Sequence, residues 1–157
     1  MDVTERQLYT VAVFQDAASA ARGVNALLAE GFPAGAVSTV AVEAVQVSGA
    51  EDRVFGPDTA VLEVRGLGRV SAGGSAVAVL QGQDAAFEAK GLAAAASRLG
   101  FQPHDGRIFE LLVARGGTLV AVAGADRAAD ALAVLHAYGG GNAAIGAWAD
   151  RVHVFVS

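Results

Sequence analysis

Apolar residues recur along this chain in two periods, and the changes between them mark out the elements. Leu8 to Phe14 is a β-prone run of Val and aromatic residues, and Asp16 follows at a helix N-cap position. Ala20, Val24, Leu27 and Leu28 then fall at helical spacing, so a helix is predicted up to Gly31, a left-handed cap, with Pro33 beyond. Ser38 to Val47 returns to alternation, with Val40 and Val42 out of phase with Val45 and Val47, which predicts a bulge near Ala44. A charged Gly/Pro stretch, Ser48 to Asp58, and a strand from Thr59 to Val64 complete an expected long hairpin over Ser38 to Arg65.

The middle is glycine-punctuated, Gly66-Leu67-Gly68-Arg69-Val70-Ser71-Ala72-Gly73-Gly74, and leads into a short apolar run, Ser75 to Leu80. Asp84 is placed to cap a slim helix from Ala85 to about Leu99, with Phe87, Leu92, Ala96 and Leu99 on its face. A helix from about Asp105 to Ala114 carries Ile108, Phe109, Leu111, Leu112 and Val113. It is apolar almost all round, which predicts burial on both sides or a place in an interface. Gly116-Gly117 breaks it, Thr118 to Val122 is a strand, and Asp126 precedes a helix with the stripe Ala128, Leu132, Leu135. Beyond Gly139-Gly140-Gly141, the segment Arg151 to Val156 alternates cleanly as an edge strand.

The start and end of the chain echo one another. Val11-Ala12-Val13 matches Val120-Ala121-Val122, and Val24, Leu27 and Gly31 match Leu132, Leu135 and Gly139 after a one-residue gap. Two such halves, about 7–65 and 116–157, around a small-residue helical insertion at about 66–115, predict a single α+β domain over 1–157. Its expected form is a ferredoxin-like sandwich with helices on one sheet face and an extra C-terminal edge strand.

Composition narrows the function. The chain of 157 residues is 54% hydrophobic but only 6% aromatic, so Val, Leu and close backbone approach must build the core, and a partner copy would bury further surface. Formal charge is −5, from 16 acids against ten Arg and the single Lys90, with no basic stripe for nucleic acid. Without cysteine, thiol catalysis, thiolate metal sites and disulfides are excluded. No run of about 20 apolar residues predicts a transmembrane segment, and the polar start lacks a signal-peptide core, so a cytoplasmic location is expected.

Candidate chemistry is sparse. Gly66, Gly68, Arg69, Gly73 and Gly74 have the context of a phosphate-binding loop, with Ser71 where a third fingerprint glycine would stand; the competing reading is a tight turn with close packing. His104, His136 and His153 are too dispersed for a local metal pair, and an enzyme of the dimeric α/β-barrel type would need His136 or His153 in a cavity. Asp16, Asp84 and Asp126 read as caps, and Glu51-Asp52-Arg53 as a solvated loop tip. Ile108, Phe109, Leu112, Trp148, Val152, Val154 and Phe155 are the interface candidates, with Trp148 read first as a packing residue and otherwise as an interface anchor.

Several stretches together resemble the YflT-like bacterial general-stress proteins. Val11-Ala12-Val13-Phe14 with Ala26-Leu27-Leu28-Ala29-Glu30-Gly31-Phe32 is similar to that family's opening unit, and Gly66-Leu67-Gly68-Arg69-Val70 with Ala72-Gly73-Gly74 to its central glycine segment. Gly91-Leu92, Leu99-Gly100-Phe101, Phe109-Glu110 and Arg115 to Val122 resemble its later part. The resemblance implies a stress-associated role and carries over no catalytic residue and no cofactor. The combined expectation is a non-enzymatic, self-assembling homo-oligomer. The alternative is a nucleotide- or anion-sensing module that binds at the Gly66–Gly74 loop.

Overall fold

A computed structural model of the chain describes residues 9–42, 60–124 and 127–138. The described residues form an α+β fold: a five-stranded antiparallel sheet, six α-helices and two short 3₁₀ turns. Strands β1 (Tyr9–Phe14), β2 (Val37–Val42), β3 (Ala60–Val64), β4 (Gly68–Gly73) and β5 (Thr118–Ala123) lie in the order β1-β5-β2-β4-β3.

The first unit forms as its pattern predicts. Helix α1 (Ala17–Ala29) starts where the Asp16 carboxylate accepts the Ser19 amide at 2.8 Å. It ends in a Schellman arrangement, the Phe32 amide bonding to the Leu27 carbonyl and the Gly31 amide to that of Leu28, both at 3.1 Å. Phe32 and Leu27 are buried together, the apolar contact that such an ending favours. Leu28, expected on the apolar stripe, is 40% exposed instead.

The echo between the chain's two ends acquires a spatial meaning. Val11 faces Ala121, Ala12 faces Val120 and Val13 faces Leu119, so the matching strands are direct antiparallel neighbours at the β1 end of the sheet. Helix α6 (Ala128–Ala137), which follows β5, packs beside α1. Strands β1 and β2 run parallel with β5 between them.

Because side chains alternate along β1 and β5, each strand feeds two cores. Ala12, Phe14, Val120 and Val122 meet α1 and α6 on one face. Val11, Val13, Leu119 and Ala121 meet the other helices on the opposite face: α2 (Ser75–Gln81), α3 (Ala86–Lys90), α4 (Leu92–Ala95) and α5 (Pro103–Ala114). Helices are predicted on one sheet face alone, yet these four cover the other as well, because the insertion supplies Leu80, Phe87, Leu92, Phe109 and Leu112 to it.

Two further expectations are corrected. Strands β2 and β3 do not form a hairpin: β4 pairs with both and stands between them, Val40 facing Ala72 and Leu62 facing Val70. The helix expected over Ala85 to Leu99 breaks into α3, α4 and a 3₁₀ turn (Ala96–Leu99) at Gly91, whose φ is +96. A Cβ there would lie 2.8 Å from the Arg65 carbonyl oxygen, so the hairpin turn after β3 occupies the space a continuous helix needs. The same turn donates the Arg65 amide to the Glu88 carbonyl at 3.0 Å.

Asp84 is not a cap. Its two oxygens accept both terminal nitrogens of Arg98 at 2.9 Å, while Arg98 Nη1 also reaches the Gln81 carbonyl at 3.2 Å and so fixes the end of α2. Hydrogen bonding from Arg98 lowers the Asp84 carboxyl from 3.8 to about 2. A depressed carboxyl stabilises the fold fully above pH 3.8, and that contribution disappears as pH falls through 2. Between those limits the urea midpoint of the native chain should therefore fall more steeply than that of Asp84→Asn. Parallel slopes for the two would refute the assignment.

The bulge near Ala44, the Asp126 cap, the Glu51-Asp52-Arg53 tip and the Arg151–Val156 strand lie outside the described residues, as do Trp148, Val152, Val154, Phe155 and His153.

Candidate functional site

Helix α5 sorts its apolar residues onto two sides. Phe109, Leu112 and Val113 are 1%, 3% and 0% exposed and enter the core, where the Phe109 ring meets Phe101 edge-on at 5.1 Å. Phe109 and Leu112, expected at an interface, are thus enclosed within one chain. Ile108, Leu111 and Ala114 lie three residues apart on the outer side, and Leu111 is 50% exposed. The apparent all-round apolarity is one core stripe and one surface stripe.

That surface stripe walls a cavity of about 580 Å³ between α5 and the β3–β4 turn. His104 and Arg107 stand in its lining in the first and second turns of α5, and Glu110 and Gly66 also line it. The volume lies within the range of small-molecule pockets, roughly 300–1,000 Å³.

The polar groups of this cavity differ in what already engages them. Glu110 Oε1 accepts the Ala93 amide at 2.8 Å, while Oε2 lies 2.9 Å from where a Gly66 side chain would begin. Glu110 thereby ties α5 to the first turn of α4 beneath the hairpin, and a side chain at Gly66 would displace it. His104 Nε2 lies 3.2 Å from Asp105 Oδ1, and Asp105 Oδ2 accepts the Gln102 amide at 3.4 Å. Arg107 is exposed and has no ion pair or side-chain hydrogen bond to a described residue. Its guanidinium is the uncommitted cation of the lining.

The glycine-rich segment proposed from sequence does not make a loop. Gly68, Arg69 and Gly73 belong to strand β4, with Gly66 in the turn before it and Gly74 at its far end, so about 20 Å of extended chain separates the two ends. Only Gly66 reaches the cavity. Gly74 precedes α2, where the buried Ser38 hydroxyl accepts the Ala76 amide at 2.9 Å, the position a phosphate oxygen would need. Of the remaining candidates, His136 is exposed on α6 and absent from the cavity lining, and Ile108 lines it.

No group of three or more His, Asp or Glu residues able to hold a metal occurs among the described residues, and no helix there is long and apolar enough to cross a membrane. The cavity was missed from sequence because it depends on the β3–β4 turn lying against α5. The available signal was Arg107 in register with Ile108, Leu111 and Ala114 on one helical face. No protein-family model, no curated protein and no solved structure matches this chain.

Proposed function

We propose that this chain is a non-enzymatic protein of the YflT-like general-stress type that works by associating with copies of itself. The observation that carries this reading is the sheet's β3 end. Among the described residues β3 pairs on one side alone, and Ala60, Val61 and Glu63 are exposed, Val61 to 48%. A short apolar strand with an open edge is a template for another strand. Two copies meeting there antiparallel, about a two-fold axis at Leu62, would set Val61 of each against Glu63 of the other and keep the two Glu63 carboxylates from standing directly opposite.

The core around which this happens is proposed as ferredoxin-like. Support comes from β5 lying between parallel β1 and β2, and from α1 and α6 sharing one sheet face. On this reading β3 to α5 is an insertion that extends the sheet and covers its second face.

Sedimentation at high micromolar concentration tests the assembly. The native chain should sediment as more than one copy and Val61→Lys as a single chain. A native monomer overturns the reading, and so does a Val61→Lys variant that still assembles.

A further inference from the structure

We infer that the cavity between α5 and the β3–β4 turn binds a small amphipathic organic anion, a carboxylate with a short apolar tail. The inference concerns a different surface from the β3 edge and does not depend on self-association. Three features of the cavity select this class of ligand.

The first is charge. Glu110 Oε1 accepts the Ala93 amide and His104 Nε2 lies against Asp105, so both are engaged within the chain and neither presents a set of free N–H donors at the opening. Arg107 does, as a planar fork of N–H donors that matches a carboxylate in two parallel hydrogen bonds. Ligand cations are disfavoured by that same group.

The second is the wall. Ile108, Leu111 and Ala114 run along α5 from Arg107 towards the helix end, an apolar strip one and a half to two turns long. Leu111 is half exposed, and an alkyl or aryl tail laid along the strip would remove it from water.

The third is shape. Gly66 leaves the roof of the cavity without a side chain, and the Glu110 carboxylate lies close beneath it, tied to the Ala93 amide of α4. The polar end of a bound molecule is thus fixed at the Arg107 end, with its tail pointing towards Ala114. Phosphate alone would use the guanidinium and leave the wall wet; a neutral hydrocarbon would use the wall and leave the guanidinium unpaired.

Octanoate, octylamine and 1-octanol are the probes, titrated by calorimetry into the 157-residue chain below the concentration at which it self-associates. Octanoate should bind one site per chain with a Kd of about 1 mM or tighter, with octylamine and octanol at least about tenfold weaker. Arg107→Ala should weaken octanoate about tenfold and leave octanol unchanged, whereas Leu111→Ser should weaken both. Both positions are exposed, and identical far-UV circular dichroism would show that the fold is retained. Val61→Lys should bind octanoate as the native chain does, which separates this site from the assembly surface. Octanoate that fails to saturate, octylamine that binds equally well, or an Arg107→Ala variant with native affinity would each overturn the inference.

Discussion

Gly74→Ala should lower the free energy of unfolding by about 4 kcal/mol, a large part of the 5–15 kcal/mol typical of a domain. Gly74 has φ +107 and ψ 172, a region open in practice to glycine alone, and forcing alanine into it costs about 1–3 kcal/mol. The added methyl would also stand 2.6 Å from the Cα and Cβ of Ser38 and closer still to its hydroxyl oxygen. Ser38 is the second residue of β2, opposite Ala121 of β5 and next to Thr39, which pairs with Gly73 of β4, and it cannot retreat without opening the sheet. Its hydroxyl holds the Ala76 amide at the start of α2, so displacing it also costs a helix cap, about 1 kcal/mol. Urea unfolding of both chains measures the difference. Ser38→Ala alone should cost about 1–2 kcal/mol for the lost buried hydrogen bond. Added to Gly74→Ala, it should recover little, because the Cα and Cβ contacts remain. An effect of Gly74→Ala below that of Ser38→Ala would show that the junction is looser than its geometry.

The elements legible in the sequence are those whose causes are local. Asp16, the Ala20–Leu27 spacing and the Gly31 ending specify α1 within one stretch of chain, and Gly116-Gly117 ends α5 by the same device, with the Gly117 amide on the Leu112 carbonyl at 3.0 Å. What could not be read is what arrives from elsewhere. Arg69-Val70-Ser71-Ala72 alternates as a strand should, yet the glycines at both ends resemble loop punctuation, and only pairing with β2 and β3 makes it β4. Ser38 caps the start of α2 from 38 residues away, and Arg98 closes the end of the same helix at the Gln81 carbonyl from 17 residues away. The break at Gly91 follows from the Arg65 carbonyl, which no local pattern reveals.

The same distinction governs the candidate site. Sequence reasoning looked for chemistry where glycines clustered, but those glycines serve the backbone: Gly66 clears a carboxylate, Gly74 clears a strand. The cavity is instead built from side chains that looked like core. Ile108 and Leu111 differ from Phe109 and Leu112 only in which side of α5 faces the sheet, and that depends on Gly106 bringing one flank of the helix against α4. Candidate site and helix packing are therefore linked through a single residue.

Gly106→Ala should accordingly destabilise the chain by about 2 kcal/mol, although the same change in an exposed helix interior stabilises by about 1 kcal/mol. Gly106 lies in the first half of α5 and is buried. A Cβ there would come within 2.5 Å of the Ala93 carbonyl oxygen and 3.1 Å of the Ala96 Cβ. The nearest obstacle is backbone, so no rotamer change relieves it, and α5 would have to move away from α4 and the 3₁₀ turn. That displacement would lengthen the 2.8 Å bond from the Ala93 amide to Glu110 and shift the wall of the cavity with it. Gly35→Ala is the matched control, because nothing lies within 4 Å of its Cβ position and the change should stay within about 0.5 kcal/mol of native. Urea midpoints would separate the two substitutions. Octanoate affinity measured on folded Gly106→Ala should fall too, while Gly35→Ala should bind as the native chain does. If Gly106→Ala instead raises stability, the contact between α4 and α5 is not tight enough to place Ile108 and Leu111 on the outer face.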